Sequence, residues 1–173
     1  MIVFGMTGAE TRTMGYEPTE EELAHLRRAV ALAAEALDGG DEPFGTVLVS
    51  ASGEVLFEDR NRTAGGDQTR HPEFEVARWA AGNMAPDERA AAVVYTSGEH
   101  CPMCSAAHGW VGLGRIVYVH SSAQVGAWRA ALGVPPSPVS AIPIQDVVPG
   151  IRVDGPVPAL EAEVHDLHVR ACS

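Results

Sequence analysis

The stretch 71–104, HPEFEVARWAAGNMAPDERAAAVVYTSGEHCPMC, decides the fold. Pro72 sits where a helix would begin, because proline suits the first helical turn. The helix is predicted to run to about Asn83, with Val76, Trp79 and Ala80 on its buried side. Ala92–Thr96 is a short apolar run that reads as a strand, Ser97–His100 as a loop, and Pro102–Trp110 as a second helix. The unit is therefore helix–strand–helix. His71 and Glu73 lie at the start of one helix, and Cys101 and Cys104 at the start of the other.

Working outward, Thr19 and Glu22 form a capping box, and Glu20, Glu21 and Glu22 favour the positive end of a helix. Leu23, Leu26, Val30, Ala33 and Leu37 recur at helical spacing, and Asp38-Gly39-Gly40 ends the run. Thr46–Ser50 and Val55–Asp59 flank Ala51-Ser52-Gly53 as a hairpin, and 60–70 is a polar loop. Beyond the decisive stretch, Ile116–His120 reads as a strand and Ala123–Leu132 as a helix. Residues 133–158 hold seven prolines and wrap irregularly, with Ile142–Ile144 or Val147–Val148 as a candidate edge strand. A last helix spans about Ala159–Ala171, with Leu160, Val164, Leu167 and Ala171 on one face. The expected fold is α/β: a three-layer sandwich with a mixed sheet of about five strands and helices on both faces. Residues 1–18 read as a loose leader in which Met14 is a candidate start, and 19–173 as one domain.

Cys101 and Cys104 are one helical turn apart, so both sulfurs can face one point. A helix start favours the thiolate that a metal requires. A CxxC alone also fits a redox thiol pair or half of a structural zinc site. A structural site wants four protein ligands, yet there is no second CxxC, and Cys172 reads as a surface or packing residue. His71-Pro72-Glu73 supplies what is missing. The residue that opens a helix need not follow helical geometry, so His71 can bind a metal while Glu73 reaches its water.

Together, His71-Pro72-Glu73 and Cys101-Pro102-Met103-Cys104 resemble the H-x-E and P-C-x-x-C pattern of the zinc deaminases, the cytidine-deaminase-like superfamily. Pro43-Phe44-Gly45 before Val47-Leu48-Val49 is similar to the strand entry of guanine and cytosine deaminases. Asn61-Arg62-Thr63 falls where that family places a substrate-binding Asn, and Cys101–Tyr118 resembles its passage from helix to strand. The resemblance covers about 19–132. It implies one zinc per chain held by His71, Cys101 and Cys104, proton transfer by Glu73, and substrate contacts from Phe44 and Asn61. The implied reaction is hydrolytic removal of ammonia from a guanine- or cytosine-type base or related heterocycle. A nucleoside or nucleobase-like antibiotic substrate, or a non-catalytic zinc protein of the same fold, is the alternative. A homodimer is implied as well.

Two positions depart from the pattern: Pro72 where Ala is common, and His100 where proline precedes the first cysteine. His100 is open to three readings: a pocket residue, a fourth ligand that closes the site, or a loop residue filling the proline position. His108 reads as a core histidine, Trp110 and Trp128 as packing residues, and Glu161, Glu163, His165 and His168 as a solvated face.

Bulk properties narrow the partners. Twelve Lys and Arg against 23 Asp and Glu give a net charge of −11, which repels polyanions, so no nucleic-acid polymer is expected. No apolar run approaches the roughly 20 residues of a membrane span. Three cysteines with one close pair do not form a disulfide framework and point to the reducing cytoplasm. The remaining partner class is a small amino-heterocycle.

Overall fold

The computed structural model describes residues 15–173. Its elements are α1 (Glu20–Asp38), β1 (Gly45–Val49), β2 (Val55–Arg60), α2 (Pro72–Asn83), α3 (Pro86–Ala91), β3 (Val93–Gly98), α4 (Pro102–Val111), β4 (Arg115–His120), α5 (Ser122–Ala131), α6 (Ile144–Val147), β5 (Val153–Asp154) and α7 (Pro158–Ala171). Strand order is β2-β1-β3-β4-β5. β1 is antiparallel to β2 and β3, whereas β3, β4 and β5 run parallel. The sheet is mixed, and helices cover both faces.

Strand alternation builds the two cores. Val47, Val49, Tyr95, Val117 and Val119 point to one face, against Leu26, Ala29 and Ala33 of α1 and Leu160, Val164 and Leu167 of α7. Leu48, Val94, Ile116 and Tyr118 point to the other, against Val76, Ala77 and Ala80 of α2. Each central strand is thus buried on both sides, which explains its continuous apolar runs. α1 begins with the predicted box: Thr19 Oγ1 accepts from Glu22 N at 3.2 Å, and Glu22 Oε2 accepts from Thr19 N at 2.9 Å.

The structure departs from the sequence reading in several places. The edge strand is Val153–Asp154, paired with Ile116 and Val117. Ile144–Val147 is instead the short helix α6, whose Ile144 is fully buried against the core beneath α4. Residues 15–18 are tied in rather than loose. Tyr16 N donates to Pro156 O at 2.8 Å, and Tyr16 OH donates to Glu22 Oε2 at 2.8 Å. The rest of the leader, Met14 included, lies outside the described residues. Trp110 is 90% exposed rather than packed, because the buried face of α4 carries Cys104, Ser105 and His108. His168 is buried, not solvated. It follows Leu160, Val164 and Leu167 at i+8, on the inward stripe of α7. Ala171, expected on that stripe, is exposed. Among the described residues no helix is long and apolar enough to cross a membrane.

Candidate active site

The N-termini of α2 and α4 meet above the sheet. His71 is the residue before α2 and has extended backbone angles (φ −85°, ψ 141°), and Cys101 precedes α4 in the same way (φ −67°, ψ 165°). These non-helical openings turn His71 and Glu73 toward one point although they are two residues apart. His71 Nδ1 lies 3.6 Å from Cys101 Sγ and 3.6 Å from Cys104 Sγ, and the two sulfurs are 3.6 Å apart. Zn–S bonds of about 2.3 Å and Zn–N bonds of about 2.0 Å at tetrahedral angles separate donor atoms by roughly 3.5–3.8 Å. The triangle fits zinc and leaves a fourth position. Among the described residues, these three are the only cluster of three or more histidine, cysteine or acidic groups able to hold a metal ion.

Electrostatics agree with that donor set. The hydrogen bond from the Cys104 thiol, followed by that of His71, pulls Cys101 down to about 4. The same shared proton, reinforced by burial, pushes Cys104 well up. Hydrogen bonding to Cys101 raises His71. Hydrogen bonding between the two sulfurs thus favours the thiolate at Cys101, the form that a cation would bind.

Glu73 is 4% exposed. Its Oε1 accepts from Thr96 Oγ1 at 3.2 Å, and its Oε2 lies 3.9 Å from Cys104 Sγ. Burial pushes its pKa up to about 7, against the opposing pull of His71; a divalent cation beside it would draw it lower. Glu73 and His71 open onto a cavity of about 450 Å³. Phe44 forms part of the wall, backed edge-on by His168 with ring centroids 5.2 Å apart.

Asn61 lies beside this wall rather than in it. Its backbone N donates to Phe44 O at 3.0 Å. Its Oδ1 accepts from Thr63 N at 3.0 Å and Thr63 Oγ1 at 2.8 Å, while the buried Nδ2 has no partner. His100 is not part of the donor triangle or the cavity wall. It is 1% exposed and packs edge-on against His108, with ring centroids 5.3 Å apart. His108 is a satisfied core histidine whose Nε2 is 2.8 Å from Gly114 O.

Three features lay beyond the motifs. Thr96 is the Glu73 partner. Glu99 Oε2 accepts from Ser122 N at 2.8 Å and Oε1 from Ile144 N at 3.1 Å, pinning the far wall to the cysteine loop. That wall comes from α5 and residues 134–141, a segment whose prolines announce irregular chain and nothing about a pocket.

Residues 19–120 match the family described as the cytidine and deoxycytidylate deaminase zinc-binding region. The chain belongs to this family. Within it, the chain is 36% identical over 102 residues to a probable cytosine deaminase of Schizosaccharomyces pombe, covering 59% of this chain and 62% of that one. It is 38% identical over 87 residues to the guanine deaminase of Bacillus subtilis, covering 49% and 55%. The matches thus span less than two thirds of these curated relatives. A guanine deaminase structure from Nitrosomonas europaea superposes with a TM-score of 0.66 at 20% identity, over 91% of this chain and 86% of that one. This likeness establishes the shared fold. The chain is also 32% identical over 108 residues to a tRNA-specific adenosine deaminase of Agrobacterium fabrum, covering 61% of this chain and 70% of that one.

Proposed function

We propose that the protein is a hydrolytic deaminase that converts an amino-bearing, guanine- or cytosine-type nucleobase or related heterocycle to its carbonyl product and ammonia. One observation carries this reading: a buried carboxylate, Glu73, stands beside a three-donor site that fits zinc, at the wall of a cavity of about 450 Å³. A structural zinc site has no use for such a carboxylate. A redox thiol pair has no use for His71 as a third donor at 3.6 Å.

His71, Cys101 and Cys104 would hold the metal. Zinc there supplies Lewis acidity, which brings the pKa of a water toward about 7. Glu73 accepts the proton of the attacking water and delivers protons to the ring nitrogen and the leaving amine. Thr96 orients the Glu73 carboxylate. Phe44 offers a flat apolar face to a heterocycle. Asn61, whose backbone N donates to Phe44 O at 3.0 Å, would hold that face in place.

The acidic surface argues for a small molecule rather than tRNA. The exposed Trp110 favours a homodimer that covers it, as large exposed aromatics commonly mark interfaces. Metal ligation by Cys101 and Cys104 needs both cysteines reduced, which favours the cytoplasm. The test is an ammonia-release screen of the zinc-loaded protein against guanine, cytosine, adenine, their nucleosides and aminated triazines. Release from a free base supports the reading, and release from none of them refutes it.

A further inference from the structure

Three carboxylates and one guanidinium face the cavity: Glu42, Glu73, Glu99 and Arg129. Glu73 is the proposed proton carrier. Glu99 has both oxygens engaged by the backbone N–H groups of Ser122 and Ile144. Glu42 is different. It lies on the α1–β1 connection, where its carbonyl accepts from Phe44 N at 2.9 Å and so fixes the turn that also presents Phe44. Its Oε1 accepts from Arg129 Nη2 at 2.8 Å, across from α5. Its Oε2 has no partner among the described residues. The Glu42 side chain is 44% exposed. The rest of the neighbouring wall is largely apolar, with Val125, Ala130, Val134 and Pro135.

A carboxylate held in this way accepts hydrogen bonds and donates none. The complementary ligand edge is a ring N–H beside an exocyclic amine, as in an amidine or guanidine, because two parallel donors match two carboxylate oxygens. Arg129 is neutralised by Glu42, so no free cation among the lining residues awaits a phosphate. We propose that Glu42, oriented by Arg129, is a specificity-determining residue. It selects uncharged heterocycles that present a ring N–H beside an exocyclic amine, as guanine does at N1 and C2. This rests on the deaminase reading and names the substrate class for the same cavity.

The test separates the two claims. Binding is measured by calorimetry on the zinc-loaded Glu73→Gln protein, where turnover is slowed, with guanine and hypoxanthine as a pair that share the ring N–H and differ by one amino group. Guanine is expected to bind at least tenfold more tightly. Glu42→Gln, added to that protein, is expected to erase most of this difference while binding hypoxanthine within about threefold. Equal binding of the two bases, loss of both together in the Glu42→Gln protein, or no binding of either overturns the proposal. Tighter binding of guanosine monophosphate than of guanosine, with the gain lost in Arg129→Gln, overturns it too, because Arg129 would then be a phosphate ligand. Ammonia release by the wild-type protein from guanine is scored separately. Release with no Glu42 effect sinks only the specificity claim. A Glu42-dependent preference without release sinks only the deaminase claim.

Discussion

Glu73 Oε1 lies 3.2 Å from Thr96 Oγ1, so the carboxylate at the start of α2 is held by a strand residue from the sheet beneath. The same hydroxyl is 3.1 Å from Gly98 O and 3.3 Å from Gly45 O, and it has one proton to give. A charged carboxylate is the strongest of these acceptors. Glu73→Gln is expected to lower kcat by roughly 10²–10⁴-fold, the usual worth of general acid–base catalysis. Zinc should stay at one per chain by elemental analysis, since Glu73 is not in the donor triangle. Thr96→Val should cost less, about ten- to a hundredfold, as expected for one hydrogen bond to a charged group. A Glu73→Gln protein with wild-type kcat would refute the assignment.

Metal binding should compete with protons. Two sulfurs and one imidazole nitrogen must be free of protons to coordinate, and hydrogen bonding to Cys101 makes His71 hold its proton more firmly than an ordinary histidine. Zinc affinity should therefore fall on acidification, by about tenfold per pH unit for each proton displaced. Zinc titration against a competing chelator at pH 8 and pH 6 measures this. Stripping the metal should abolish ammonia release and lower the melting temperature, and added zinc should restore both. Affinity independent of pH would exclude thiolate and imidazole ligation.

The chemistry of the site was more legible than its walls, for a physical reason. Metal ligation and proton transfer constrain residue type and spacing, so the proposed set of His71, Glu73, Cys101 and Cys104 announces itself locally. The pocket wall is built from contacts between distant segments. Glu42 and Arg129 meet across 87 residues, and neither lies in a motif. Strand alternation made the sheet readable, but β5 is two residues long and owes its place to pairing with Ile116 and Val117, not to any propensity of its own. His168 reads as solvated by its polarity, whereas its position at i+8 from Leu160 places it on the inward stripe.

His108, His120 and His168, all buried, should make the fold acid-sensitive above the usual carboxylate range. Burial lowers His108 and His120 to about 4 and His168 to about 3. In the unfolded chain each titrates near 6.5. The folded state thus binds fewer protons below that pH, and stability rises with pH wherever the unfolded state binds more. The contribution is complete above about pH 6.5 and is lost progressively as pH falls toward the folded values. For His120 the full loss is on the order of 3 kcal/mol. His168→Phe removes one such group from a site already lined by Phe44 and Trp128. Denaturant unfolding of wild type and His168→Phe at pH 7.5 and 5 should show a smaller drop in the variant; zinc-ligand protonation is common to both and cancels. Identical drops would contradict the prediction.

Gly45 is expected to be indispensable to both fold and site. It starts β1 where α1 crosses the sheet. A Cβ there would lie 2.3 Å from Ala29 O, 2.5 Å from Leu32 Cβ and 2.7 Å from Ala33 N. Two of these are backbone atoms of a buried helix, which cannot swing aside as a flexible side chain can. Gly45→Ala must therefore push α1 off the sheet, with a cost of about 3 kcal/mol, at the upper end for overpacking. In a domain of this size that corresponds to a melting temperature lower by roughly 6–12 °C. The displacement also reaches the cavity. Gly45 N donates to Ser97 Oγ at 3.1 Å, and the preceding residue is Phe44. Zinc should remain bound, because His71, Cys101 and Cys104 stand on α2 and α4. KM should rise as the Phe44 wall shifts. Thermal unfolding with zinc content and steady-state kinetics on the same preparation distinguishes this from general misfolding. A Gly45→Ala protein as stable as wild type would show that α1 does not pack on β1 as closely as described.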